Sequence, residues 1–165
     1  MKLAAMIATV GGVGHMRPAP GTWGSAVALP MAWLIHVIGG PWLLVIAVIA
    51  GFIKGLWATA QVTKGQDDHD PSEVVIDEVV GQWIALLPLS LGAAHAGASI
   101  TALWPGWVAA FLLFRLFDIA KPGPVGWADR RGDPLGVMLD DVIAGVFAGM
   151  GVAVFAAIYH GVLGL

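Results

Sequence analysis

The sequence predicts an all-α protein: a polytopic membrane helical bundle of two helical hairpins plus a C-terminal span, with an acidic site at the cytosolic interface. Three observations predict it. First, 12% of the 165 residues are charged and 58% are apolar, with a mean hydropathy of +0.84. A soluble domain carries about a quarter charged residues, and 8 basic plus 11 acidic side chains cannot coat a chain of this length. Second, the charges are segregated. The stretches 3–16, 18–53, 79–114 and 142–165, of 14, 36, 36 and 24 residues, contain no Asp, Glu, Lys or Arg. Third, each 36-residue stretch is broken near its middle by Gly and Pro.

A bilayer-spanning helix needs about 20 residues. The segment 3–14 is too short to span and is expected as an interfacial or re-entrant helix. It also resembles the apolar core of a signal peptide. It ends in Val10-Gly11-Gly12-Val13-Gly14-His15 rather than a small-residue cleavage site, so it is read as retained. The stretch 18–53 is too long for one span and breaks at Gly39-Gly40-Pro41. The stretch 79–114 breaks between Gly92 and Pro105, with Gly97, Ser99 and Thr101 inside. Each reads as a helix that crosses and returns, because Gly is entropically costly in a helix and Pro lacks the N–H. The last stretch fits one span.

Two hairpins begin and end on one side of the membrane. Arg17, the segment 54–78 and the segment 115–141 then share a single face. That face holds Lys64, Lys121, Arg130 and Arg131, so the positive-inside rule makes it cytosolic. Lys54 and Arg115 fall within helix ends and are expected to snorkel outward. Trp23, Trp42, Trp57, Trp83, Trp104, Trp107 and Trp127 lie near span ends, as an interfacial belt or as bundle packing. No linker long enough to divide the chain is present. The absence of cysteine excludes thiolate nucleophiles, thiolate metal sites and disulfides. A net charge of −3 without a basic run argues against nucleic-acid binding.

All 11 acids fall on the proposed cytosolic face. Asp77-Glu78 and Asp140-Asp141 each precede an apolar helix, and the segments 75–81 and 138–145 resemble each other. Acids favour helix N-termini for electrostatic reasons alone. Two such pairs, with Asp118 at the end of another helix, point instead to a site, because carboxylates at membrane depth are costly. Together they offer the oxygen ligands that Mg²⁺ prefers. Arg115, Asp118 and Lys121 recur every three residues and so share a helix face. They read as a helix-end ion pair or as an anion site beside the metal. Arg matches phosphate with two N–H groups and Lys acts as a point charge. Pro20-Gly21-Thr22-Trp23-Gly24-Ser25 offers two hydroxyls near a helix start, as a phosphate cradle or as a plain N-cap.

These residues, in order, resemble the bacterial phosphatidylglycerophosphatase A family. The resemblance rests on Pro20 through Ser25; on Asp70, Val75, Asp77-Glu78 and Gly81; and on Arg115, Asp118, Lys121-Pro122-Gly123-Pro124, Asp129-Arg130 and Gly136 to Asp140-Asp141 with Ala144-Gly145. It implies one membrane-embedded lipid phosphatase domain over 1–165. The implied enzyme is a Mg²⁺-dependent phosphoric monoester hydrolase of the bacterial inner membrane, multi-pass, with its site facing the cytosol. Its reaction converts phosphatidylglycerophosphate to phosphatidylglycerol and phosphate in phospholipid synthesis. The implied catalytic and metal residues are Asp77, Glu78, Asp118, Asp140 and Asp141. The implied substrate-binding residues are Thr22, Ser25, Arg115, Lys121, Asp70 and Asp129. Asp67, Asp68 and Asp133 fall outside the matching blocks and read as a solvated face. His69 reads as an exposed loop residue, and His15, His36, His95 and His160 as structural or interfacial.

Two other readings remain. A metal-dependent phosphoalcohol transferase would share an acid-rich site, but its Asp-x-x-Asp-Gly-x-x-Ala-Arg pattern is absent. An ion transporter would need ionisable residues along a path through the bilayer, whereas here the acids gather at one interface.

Overall fold

The computed structural model describes residues 2–66 and 70–163, with side chains through Tyr159. Asp67, Asp68 and His69 lie outside the described residues, as does the side chain of His160. Among the described residues every regular element is helical. In order these are α1 (Lys2–Ala8), α2 (Pro20–Val62), α3 (Ile76–Ala96), α4 (Trp104–Ala120), α5 (Pro124–Asp129) and α6 (Pro134–Leu163). Short 3-10 turns occupy Val13–His15 and Ile100–Leu103. Four segments are long and apolar enough to cross a membrane: α2, α3, Ile100–Ala120 and the bulk of α6.

α2 is two arms. Gly39 and Gly40 leave helical geometry, and Gly40 has φ 65°, which glycine tolerates without a Cβ penalty. Contacts with α3 fix the direction of each arm. In the first arm, Gly24 packs on Val75, Trp83 Nε1 donates to the Ala28 carbonyl at 3.1 Å, and His36 Nδ1 lies 2.7 Å from Ser90 Oγ. That arm therefore runs beside α3 in the same direction. In the second arm, Gly51 packs on Val80 and Trp83 and Gly55 on Ile76, so it runs the opposite way.

α3 ends at Gly97, which adopts the left-handed conformation common after a helix. α4 then returns antiparallel to α3, with Gly106 against Leu89 and Phe114 against Gly81. α6 runs parallel to α3, with Gly145 against Gly81 and Gly149 against Pro88. Phe117 and Phe147 meet edge to face at 5.7 Å and join α4 to α6. α3 is thus the central helix, and its Val79, Val80, Ala85 and Leu86 are buried.

This topology brings five chain segments to one end of the bundle: the starts of α2, α3 and α6, the end of α4, and α5. α1 caps that end. It is only seven residues long, because Val10, Gly11 and Gly12 all have positive φ and stop the helix. Ala4 and Ala8 are buried, and the Ala8 carbonyl accepts the Val75 N–H at 2.9 Å, just ahead of α3.

Two expectations are corrected here. Arg115 does not snorkel: its side chain is 15% exposed and turns inward to Asp118. The tryptophans divide rather than forming one belt. Trp83 is buried in the bundle and Trp107 donates to the Ile100 carbonyl, whereas Trp23, Trp42, Trp57, Trp104 and Trp127 are exposed.

Candidate active site

The site is built where α3 and α6 cross. A Cβ at Gly81 would meet the Asp141 carbonyl at 2.6 Å, and one at Gly145 would fall onto the Gly81 backbone. This close approach lets Asp77 and Glu78, in the first turn of α3, face Asp140 and Asp141, which do not precede α6 as expected but lie inside it, because the helix already starts at Pro134. The carboxylates form two groups whose oxygens lie within 4.8 Å of one another: Asp77, Glu78 and Asp141; and Asp118, Asp140 and Asp141. Asp141 belongs to both.

Basic residues enter from α4. Arg115 Nη1 lies 2.5 Å from Asp118 Oδ2, three residues along the helix. The same atom donates to Ser25 Oγ at 3.4 Å, while that hydroxyl donates to the Gly21 carbonyl at 2.9 Å. Lys121 follows the last turn of α4 in the left-handed conformation, φ 45°, and its backbone N–H still bonds the Phe117 carbonyl. Its ammonium therefore leaves the Arg115–Asp118 face. It donates to Asp140 Oδ2 at 2.9 Å and to Asp129 on α5. Burial works against the Lys121 charge, but the hydrogen bonds to Asp129 and Asp140 outweigh it and raise its pKa above the ordinary lysine range.

Gly21 gives this cluster room. A side chain there would overlap Glu78 Oε1 and come within 3.2 Å of Arg115 Nη1. The Pro20–Ser25 segment is the first turns of α2 and is preceded by Ala19, which makes no side-chain cap. Neither Thr22 nor Ser25 is therefore an N-cap. Ser25 is fully buried, and Thr22 is half-buried two residues into the helix.

Asp70 is exposed in the loop before α3, near enough for its charge to act on Asp77. Asp129 reaches the cluster only through Lys121. Asp133 does more than face solvent: its carboxylate accepts the Gly136 N–H at 2.7 Å at the start of α6 and pairs with Arg131 at 2.9 Å.

Several buried polar atoms have no hydrogen-bond partner among the described residues: Asp77 Oδ1, Glu78 Oε2, Asp141 Oδ1 and Arg115 Nε, together with both ends of the Gln82 amide. Three are carboxylate oxygens, which want a cation, and one is a guanidinium N–H, which wants an anion. Buried polar groups are costly unless paired. A divalent cation with a phosphate group satisfies both needs, and the hard oxygen donors suit Mg²⁺. Gln82 stands one turn beyond Glu78 on α3 and is fully buried. Its only sequence signal is a lone amide in an apolar helix, which carries no pattern.

The sequence profile of the phosphatidylglycerophosphatase A family matches residues 6–156. This chain belongs to that family. It is 37% identical over 132 residues to phosphatidylglycerophosphatase A of Escherichia coli (strain K12), covering 78% of this chain and 69% of the relative. It is 34% identical over 139 residues to phosphatidylglycerophosphatase A of Haemophilus influenzae, covering 83% and 78%. A relative from Bacteroides thetaiotaomicron, with the provisional name phosphatidylinositol-3-phosphatase, is 35% identical over 157 residues, covering 92% of each chain. No solved structure matches. For a phosphatidylglycerophosphatase A family member, the carboxylate cluster with its inward arginine is the place to seek the chemistry.

Proposed function

We propose that this chain hydrolyses the terminal phosphomonoester of phosphatidylglycerophosphate, giving phosphatidylglycerol and phosphate, with Mg²⁺ as cofactor. The observation that carries the reading is the pairing of three unpartnered carboxylate oxygens with an unpartnered Arg115 Nε in one buried locus. The names of the Escherichia coli and Haemophilus influenzae relatives supply the lipid.

Mg²⁺, when bound, supplies positive charge for the phosphoryl oxygens and for the attacking water. The chain's own residues do the rest. Arg115 Nε faces the developing charge on a phosphoryl oxygen, and Ser25 Oγ and Asp118 hold the guanidinium through Nη1. Lys121 fixes Asp140 and Asp129. A carboxylate of the cluster takes a proton from water as the water oxygen bonds phosphorus; the ester P–O bond breaks, and that carboxyl returns the proton to the leaving glycerol oxygen.

The lipid tail also has a place. One to two turns beyond Ser25 on α2 lies an apolar groove of about 450 Å³. Leu29, Pro30 and Trp33 of α2 line one wall, and Thr101 with Trp104 and Trp107 at the start of α4 the other. A ligand bridging site and groove has a phosphate at one end and hydrocarbon at the other, and the acyl chains of the substrate fit that description.

In the membrane, the acidic end faces the cytosol and α2, α3, α4 and α6 span as two hairpins plus a final helix. The basic residues at that end support this orientation. The far halves of the helices carry no Asp, Glu, Lys or Arg, which disfavours a transporter.

The test is phosphate release by purified protein with and without Mg²⁺, wild type against Asp141→Asn. Phosphatidylinositol 3-phosphate serves as a competing substrate. Release from phosphatidylglycerophosphate that needs Mg²⁺ and fails in Asp141→Asn is expected. A folded wild type that releases nothing overturns the function. A single cysteine at Gln66 should label only from the cytosol; labelling from the periplasm inverts the topology.

A further inference from the structure

We infer that the two carboxylate groups have different work: Asp77, Glu78 and Asp141 hold a single divalent cation, while Asp118 and Asp140 hold the basic side chains of Arg115 and Lys121. The inference rests on the metal-dependent reading above and deepens it.

The two groups are alike in number and separation but not in how their oxygens are used. Both Asp140 oxygens are engaged: Oδ2 accepts the Lys121 ammonium at 2.9 Å and Oδ1 accepts the Asp141 N–H at 2.9 Å. Asp118 Oδ2 lies against Arg115. In this second group each carboxylate besides Asp141 already has a basic side chain beside it, Lys121 being shared with Asp129. In the first group, Asp77, Glu78 and Asp141 each keep a buried oxygen with no partner among the described residues. Asp77 is 6% exposed and Asp141 3%, so solvent does not supply the missing partners.

Charge gives the same division. Arg115 lies against Asp118, and Lys121 is shared by Asp140 and Asp129. Among the described residues no Lys or Arg forms an ion pair with Asp77, Glu78 or Asp141, so a divalent cation is what that group lacks. Lys121 is then a tethered monovalent cation on Asp140, a carboxylate that a second metal would need. Its left-handed backbone aims it there, off the helix face its spacing predicts.

The experiment is Mn²⁺ binding to the full-length protein in detergent, without substrate, read by equilibrium dialysis and electron paramagnetic resonance. Wild type should bind one Mn²⁺ with a mononuclear spectrum. Asp77→Asn and Asp141→Asn should weaken binding by more than about 100-fold, and Asp118→Asn and Asp140→Asn by about 10–100-fold, the range for residues that support a ligand set from outside it. Lys121→Met, which frees Asp140, should admit a second Mn²⁺. Two exchange-coupled ions in wild type, no ion at all, or Asp140→Asn as damaging as Asp77→Asn would each overturn the assignment. Should the aspartate variants fail to fold, the wild-type and Lys121→Met stoichiometries still decide. One bound ion without phosphate release would sink the phosphatase reading and leave this assignment. Release with two bound ions would do the reverse.

Discussion

Gly81 and Gly145 stand backbone against backbone where α3 and α6 cross: a Cβ added at Gly145 would collide with the Gly81 carbonyl oxygen and lie 3.0 Å from its carbon. The obstructing atoms are main chain and cannot rotate away. Gly145→Ala is therefore expected to force the helices apart, at a cost of about 1–3 kcal/mol. A lower thermal midpoint in detergent together with weaker Mn²⁺ binding is the expected pair of results. An unchanged midpoint would mean that the crossing is not close.

At Gly21 the obstruction is different. The added methyl would meet the ends of Glu78 and Arg115, which are flexible side chains. Gly21→Ala should leave the thermal midpoint nearly unchanged and displace both groups. Misplacement of this kind costs about 100-fold in rate. Steady-state kinetics beside a melting curve separates the two effects, and a large drop in midpoint with normal kcat would refute the expectation.

Lys121 joins an unusual backbone to an important charge. Glycine adopts its left-handed conformation without strain, so Lys121→Gly removes the ammonium and keeps the turn. Loss of activity by about 10-fold or more with a preserved fold is expected. The pH dependence follows from the sign of the shift. A lysine whose folded pKa is raised stabilises fully below its unfolded pKa of about 10.4, and that contribution is lost as pH rises through the folded value. The stability gap between wild type and Lys121→Met should be flat from about pH 7 to pH 9 and shrink only in stronger alkali. A gap that closed between pH 7 and 9 would contradict the Asp129 and Asp140 pairing.

Gln82 buries an amide with neither end paired among the described residues. Leucine would remove a desolvation penalty of about 1–3 kcal/mol. Gln82→Leu is expected to raise the melting midpoint and lower activity, the signature of a residue kept for function at the expense of stability. A variant that melts lower would assign Gln82 a structural hydrogen bond instead.

The groove between α2 and α4 is tested by substrate length. Leu29→Trp should raise KM several-fold for a long-chain lipid phosphate, leave kcat close to wild type, and hardly change turnover of a short-chain analogue. Equal effects on both substrates would exclude the groove as the acyl site.

Much of this arrangement was legible in the sequence, and the physical reason is the bilayer. Charge is so costly at membrane depth that its placement outlines the fold: the three long charge-free stretches supply most of α2, α3, α4 and α6, and the break at Gly39-Gly40-Pro41 became a reversal. The resemblance between 75–81 and 138–145 became two segments that meet, but only the first is a helix start; the second lies inside α6. What was not legible depends on where periodicity stops. Arg115, Asp118 and Lys121 read as one face because the helix was extended through all three. The helix ends at Ala120, and the left-handed Lys121 turns to Asp140 instead. The segment 3–14 read as one helix, but positive φ from Val10 to Gly12 stops it after Ala8. Asp133 carried a signal that the resemblance passed over: an Asp directly before Pro134 is the N-cap and first-position pair that marks the start of α6.

The parallel crossing of α3 and α6 also sets when the protein becomes competent. Asp77 and Glu78 emerge from the ribosome with the second hairpin, yet Asp141, shared by both carboxylate groups, arrives only with the final long helix. A chain halted before α6 docks holds its acids without the partner that completes them. With the proposed site, turnover should appear during synthesis only once that last helix docks.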